Sequence, residues 1–452
     1  MMSDELLALA RRIVDRARKD EDLEAYVTHQ RSFSVKVYNG EVENLSSSEP
    51  RGAGVRVLNG GRAGFAYTTD LSDGGLNTIV NLARTNAQHA TPDEAVALAG
   101  AWARRPKDVP ELLDESLAAI GPERKVEFAI SLDEATRRSD PRVRAVEESV
   151  YADSDGEAAI ATTRGIEGSY RSTDAWCYSL AIATDGDDTE VGFEFDLARG
   201  LSGLDPEGVA RRAAGRAISV LGATKIPSAR MPVVFDPYTA GQFIGVLAQA
   251  LTGEAVQKGR SLFAGRIGRA VAGKGLTLVD DGRVPGAPGS APWDAEGVPT
   301  QRTEVIRKGV LESFLYDVTS ARREGRLSTG NAARSGFQSP PGPAPTNLAF
   351  DSTGRSRAEI LALAGRALLV QDFHGVHSGA NPVSGDFSVG ATGMLLKDGA
   401  PVRPVKEVTI AAPMLEILSG IVAIADDRRW LPFGGSLGGA TTLIAEMTVA
   451  GE

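Results

Sequence analysis

Histidine, cysteine and acidic side chains set what chemistry this chain can do, and the first two are scarce. The 452 residues hold four His (His29, His89, His374, His377) and one Cys, Cys177. Two of the His lie three apart in Asp372-Phe373-His374-Gly375-Val376-His377, with Asp386 further on, which has the composition of a metal site. Gly375 and the following Ser378-Gly379-Ala380-Asn381-Pro382 predict a loop, however, and rings three residues apart in extended chain point to opposite sides unless a turn brings them together. Ligand number and spacing both fall short of a zinc site. The competing reading has both imidazoles bonded to backbone.

Nucleophiles are no clearer. Cys177 lies in a strand-like run, Trp176-Cys177-Tyr178-Ser179, where a buried thiol that packs is expected. No G-x-G-x-x-G opens a helix after a strand. The glycines of Gly434-Gly435-Ser436-Leu437-Gly438-Gly439 read as turn formers and not as a phosphate cradle. A third place is Gly253-Glu254-Ala255-Val256-Gln257-Lys258, directly after the uncharged stretch 237–253. A glutamate behind a long apolar helix is costly unless paired, hydrated or functional. Lys258, four residues on, is its natural partner.

The elements that position these residues follow from periodicity. Residues 4–18 read as an amphipathic helix. Period-two alternation at Phe33, Val35 and Val37 runs into Asn39-Gly40, a hairpin turn, and a second pair is split by Asn59-Gly60-Gly61. Helices are expected over 71–87, 123–138 and 206–221. Strand character occupies 142–199, with a turn expected at Ser154-Asp155-Gly156. Lys225-Ile226-Pro227-Ser228 is the candidate boundary between an N-terminal domain (1–225) and a β-rich C-terminal domain (226–452). The second opens with a strand to Phe235, and Asp236-Pro237 starts a helix. A strand over 311–316, a proline-rich surface loop over 335–345 and hairpins after 373 complete it. Hairpins interleaved with helices, without regular βαβ alternation, predict an α+β fold with largely antiparallel sheets.

Composition excludes several classes. A formal charge of −10, with no basic cluster along the chain, argues against nucleic acid. One Cys cannot staple a secreted scaffold, the start is acidic where a secretory signal is basic, and 17 uncharged residues are too few to span a bilayer. A cytoplasmic protein with no membrane partner is expected.

The chain also resembles the TldD/TldE (PmbA) peptidase family, long labelled modulators of DNA gyrase. The resemblance rests on Asp294-Ala295-Glu296-Gly297-Val298-Pro299-Thr300, Ile306-Arg307-Lys308-Gly309, Tyr316-Asp317 and Ser328-Thr329-Gly330-Asn331. Ser384-Gly385-Asp386-Phe387-Ser388, Gly390-Ala391-Thr392-Gly393 and Lys397-Asp398-Gly399 extend it. It implies two α+β domains and a heteromeric zinc peptidase acting on unfolded peptides or small proteins. In TldD members two His of H-E-x-x-x-H and a later Cys hold zinc, and the Glu would activate water. On this sequence the motif falls on Gly253, Glu254 and Lys258, so only the Glu remains, and the cysteine position falls near Phe433-Gly434-Gly435. The pattern is similar to the TldE side: a subunit with no cofactor and no metal of its own, zinc being held by a TldD-like partner. No catalytic residue is then assigned to this chain, and His374, His377 and Asp386 are expected to line a substrate channel. The alternatives are an autonomous metallopeptidase using His374, His377 and Asp386, and a non-enzymatic peptide-binding module.

Overall fold

The computed structural model describes residues 2–102, 105–431 and 435–452. Helix α1 (Met2–Val14) leads into β1 (Asp22–Tyr38), β2 (Glu41–Ser48), β3 (Arg51–Asn59), β4 (Arg62–Thr68) and α2 (Asp73–His89). Then follow α3 (Pro122–Arg138), β5 (Val143–Thr162), β6 (Glu167–Asp185), β7 (Asp188–Ala198) and α4 (Pro206–Ser219). The strands form one seven-stranded sheet ordered β4-β3-β1-β5-β6-β7, with β2 pairing the far half of β1. Its pairings are all antiparallel.

Alternation along the strands decides what this sheet touches. Leu23, Ala25, Val27, Val35 and Val37 point to the face covered by the helices, packing on Leu6, Ile79, Leu132 and Val209. Their even-numbered neighbours point the other way, where Tyr26 and Ile160 pack on Trp293 and Val318. The second face is where the rest of the chain docks, and it buries the charged pair Glu24 and Arg56 beside these rings.

That remainder contains β8 (Ala229–Phe235), α5 (Pro237–Ala250), α6 (Gly253–Gln257), β9 (Leu278–Asp281), β10 (Arg302–Arg307), β11 (Val310–Leu311) and α7 (Val318–Arg323). Next are β12 (Ala332–Ala333), β13 (Gly342–Pro343), β14 (Asn347–Phe350), α8 (Arg357–Ala364), β15 (Leu368–His374) and α9 (Val376–Gly379). The chain ends with β16 (Asp386–Lys397), β17 (Ala400–Pro413), α10 (Met414–Gly420), β18 (Ile421–Ile424), β19 (Arg429–Trp430), β20 (Ser436–Gly439) and β21 (Thr442–Ala450). One six-stranded sheet runs β11-β10-β9-β14-β20-β19; another runs β17-β16-β15-β8-β21-β18, with β17 also pairing β21 and so closing a ring. Only β14–β20 and β15–β8 among the named strand pairs are parallel. The fold is α+β with largely antiparallel sheets, as the sequence predicts. The ring encloses Phe235, Phe243, Phe373 and Phe387, mutually in edge-on or tilted contact.

Four local expectations are corrected. Ser154-Asp155-Gly156 is not a turn: it is the middle of β5, paired with Arg31 and its neighbours on one side and with Thr173 and its neighbours on the other. Turn-forming residues are tolerated there because two flanking strands hold the backbone, and Arg171 Nε bonds Asp155 at 2.7 Å. The strand expected over 311–316 ends at Leu311. Leu315 instead bonds Leu251, its N–H reaching that carbonyl at 2.9 Å. The segment 335–345 is not a free surface excursion, since Phe337 within it is buried against the first sheet while its other residues stay exposed or half-buried. A Cβ on Gly52 would lie 2.4 Å from its ring, and one on Gly54 would lie 2.3 Å from its carbonyl oxygen, so only glycine admits this anchor. Lastly, His374 and His377 do not share a loop: the first ends β15 and the second sits in the single turn α9.

Phe337→Ala should therefore loosen the junction and lower stability by about 3 kcal/mol, the usual cost of a large aromatic cavity. A urea titration checks it.

Candidate functional site

The segment that the sequence singles out, 253–258, is not an extension of α5. That helix stops at Ala250 with Leu251 as its cap, and Thr252 starts α6 by accepting the Ala255 N–H at 3.2 Å. Gly253 N–H bonds the Leu315 carbonyl at 2.9 Å, which brings the following Tyr316 against it. A Cβ on Gly253 would lie 2.3 Å from the Tyr316 ring. That ring is fully buried, and its hydroxyl donates to Glu324 at 2.7 Å. Glu254 and Lys258 form the expected ion pair at 2.8 Å, both about half exposed. Gln257 donates to the Ser320 carbonyl at 2.8 Å and so ties α6 to α7.

These residues do not fit a zinc ion. Position 253 has no donor and no room for one, and position 258 presents an ammonium that repels a cation. Glu254 already has its counter-charge. Phe433 and Gly434, near which a third ligand would fall, lie outside the described residues. Among the described residues, no three His, Cys, Asp or Glu side chains group to hold a metal.

The other predicted residues are dispersed. His374 Nε2 lies 2.9 Å from Thr392 Oγ1 on the neighbouring strand, while Asp386 accepts from the Ser384 hydroxyl at 2.6 Å. His374, Asp372 and Thr392 border a cavity of about 330 Å³ that does not include His377 or Asp386. Burial pushes the Asp372 carboxyl up, against the pull of His374 and Arg216. Cys177 is fully buried in β6, and burial pushes its thiol up too, so it packs as expected.

A larger cleft, about 510 Å³, lies where the second face of the first sheet meets the C-terminal sheets. The sheet supplies Tyr26, Tyr170, Asp174 and Trp176; the other side supplies Trp293 and Arg334 among others. Tyr170 meets Trp293 edge-on at 4.8 Å, and the buried Arg334 guanidinium lies 4.7 Å above the Tyr26 ring. Burial pushes Asp174 up to about 6, although Arg199 donates to it at 2.7 Å. An aromatic cleft with two acids, Asp174 and Asp294, and one arginine in its lining suits a side chain or an extended peptide segment. Residue types did not reveal this cleft, because its members come from strands far apart in sequence. Scarce aromatics were the available signal, with two of four Trp lining it.

Beneath the cleft, a network fixes its walls. Glu24 accepts from Arg56 at 2.6 and 2.9 Å and also from Arg334, while Arg56 reaches Glu296 at 3.1 Å. Glu296 in turn accepts the Val318 N–H at 2.8 Å. Asp294 accepts the N–H groups of Glu296, Val298 and Ala332, each at 2.9 Å. Burial and the adjacent Glu296 nevertheless push its carboxyl up. Asp280 on β9 receives Asn331 and Thr346, pinning both ends of the loop that carries Phe337.

Burial raises Asp280 from 3.8 to about 6, so folding favours its protonated form. Its stabilising contribution is complete below about pH 4 and is lost as pH rises through 6, an effect on the order of 3 kcal/mol. Asp280→Asn should flatten that part of the stability profile, read by urea unfolding between pH 4 and 7.

Comparison with known proteins agrees with this architecture. Residues 23–99, 115–221 and 228–451 match, in order, the PmbA/TldA metallopeptidase domain 1, central domain and C-terminal domain. The metalloprotease PmbA of Escherichia coli O157:H7 is 28% identical over 435 residues, covering 96% of this chain and 93% of that protein. A metalloprotease TldD homolog of Haemophilus influenzae is 27% identical, covering 86% of this chain and 82% of its own length. A solved structure described as a modulator of DNA gyrase from Thermotoga maritima superposes with TM-score 0.88 at 26% identity, covering 99% of both chains. TldE from Thermococcus kodakarensis has the same fold, with TM-score 0.88 at 23% identity and 99% of both chains covered.

Proposed function

The chain belongs to the PmbA/TldD metallopeptidase family, and from that premise we propose that it is the TldE-like subunit of a two-component zinc peptidase, itself carrying no metal. A TldD-like partner holds the zinc and the water-activating glutamate. This chain supplies structure and part of the channel that receives unfolded peptides or small proteins, in a cytoplasmic setting. Among the described residues no helix is long and apolar enough to cross a membrane.

One observation carries the reading: the Tyr316 ring fills the place where a first ligand would project from position 253, while Lys258 occupies the second. The neutralised Glu254 then needs no catalytic role. An autonomous site at His374, His377 and Asp386 has less support, because His374 and Asp386 make separate hydrogen bonds and neither His377 nor Asp386 borders the His374 cavity. The aromatic cleft gives the chain a place to hold peptide without cutting it.

Co-expression with a TldD-like protein tests this. Cleavage of an unfolded peptide should require both chains, and Glu254→Gln in this chain should leave the rate of the pair within about twofold. Cleavage by this chain alone would refute the proposal.

A further inference from the structure

Four arginines, Arg212, Arg216, Arg357 and Arg429, meet in a second cleft of about 410 Å³. They come from α4, from the start of α8 and from β19, so nothing in the linear sequence marks them as a cluster. Three carboxylates face them, Glu194, Asp236 and Asp427, which leaves the lining one positive charge in excess on a chain of net charge −10.

The hydrogen-bond inventory is as lopsided as the charge. Every carboxylate oxygen is already engaged. Glu194 accepts from Arg216 at 3.1 Å, from Arg429 at 2.5 Å and from the Phe195 N–H at 3.1 Å. Asp236 accepts from Arg216 at 2.9 Å, from Arg357 at 3.3 Å and from the Tyr238 N–H at 3.2 Å. Asp427 takes the Thr441 N–H at 2.8 Å and the Thr441 hydroxyl at 2.6 Å.

Guanidinium donors are in surplus, since each group carries five N–H bonds. Arg212 is the clearest case. Among the described residues its ion-pair contacts are to Glu194 and Asp205, both at 3.8 Å and beyond hydrogen-bond length. No nitrogen of the four is buried without a partner, so the spare donors are open to solvent, and all four residues line the cleft. Arg216 and Asp236 also brace the floor, because Arg216 spans Glu194 of the first sheet and the cap of α5.

We infer that this cleft binds one oxyanion, a carboxylate or a phosphate, gripped by Arg212 and Arg357 across the junction between α4 and the C-terminal sheets. Guanidinium forks match the planar or tetrahedral oxygens of such groups, and an added acceptor balances both the charge and the donor surplus. The ligand joins residues that precede position 220 to residues that follow 235, so it clamps two parts of the chain. The inference is independent of zinc and of any partner subunit.

Isothermal titration of the full chain tests it with three probes: inorganic phosphate, an N-acetylated dipeptide with a free terminal carboxylate, and the same dipeptide as its amide. Saturable 1:1 binding of phosphate or of the free acid, with none of the amide, is the expected result. Binding of phosphate alone assigns a free anion as the ligand, and binding of the acid assigns a peptide carboxylate. Arg212→Gln should weaken binding at least about tenfold and Arg212→Lys should restore part of it, with circular dichroism unchanged because Arg212 is half exposed. Absence of saturable binding by either oxyanion up to about 10 mM, or equal affinity in Arg212→Gln, would overturn the inference.

Discussion

Glu24→Ala is expected to lower the unfolding free energy by about 3–5 kcal/mol. Glu24 is 1% exposed and lies between two guanidinium groups that are themselves buried, Arg56 and Arg334. Removing the carboxylate leaves two desolvated cations close together, with Glu296 reaching only Arg56. The cost is that of unmatched buried charge, which greatly exceeds the value of an exposed ion pair. Glu24→Gln keeps the volume and one acceptor, so it should cost less than Glu24→Ala but remain clearly destabilising. Urea unfolding at neutral pH measures both. A loss below about 1 kcal/mol for the alanine variant would mean that water enters and solvates the two cations, and that the network does not hold the cleft.

Gly253→Ala is the second. Its added methyl would start 2.3 Å from a ring held by the Glu324 hydrogen bond and by burial, so Tyr316 or the start of α6 has to shift. Overpacking of this kind costs about 1–3 kcal/mol. The sharper form is a gain-of-function attempt. Gly253→His with Lys258→His restores two imidazoles to the motif, yet Tyr316 still blocks the first, so no tight zinc binding should result. Thermal melts report the destabilisation and equilibrium dialysis reports the metal. A stable double variant holding one zinc per chain would show that the ring yields easily, and that loss of ligands alone distinguishes this chain from a metal-bearing one.

How far the sequence reaches depends on whether the deciding forces are local. Hairpins at Asn39-Gly40 and Lys397-Asp398-Gly399, and the Asp236-Pro237 helix start, are legible because turn geometry and capping act within a few residues. The Glu254–Lys258 pair is legible for the same reason, being one helical turn. Ser154-Asp155-Gly156 misleads, since strands far along the chain override its turn propensity. Phe337 was hidden by its prolines: what fixes it is a pair of glycines in β3 nearly 300 residues away. The aromatic cleft and the arginine cleft are assembled by sheet docking, and no spacing in the chain encodes them. Tyr316 is the instructive case. Its family motif was visible, but that its ring excludes a side chain at position 253 is a fact of packing alone.

The most direct measurement is zinc per chain, taken on this protein purified by itself and again in complex with a TldD-like subunit. The isolated chain should hold well under one equivalent and the pair about one, with the metal unaffected by Glu254→Gln or His374→Ala in this chain. One equivalent of zinc in the isolated chain, lost on either substitution, would contradict the assignment of a subunit without metal.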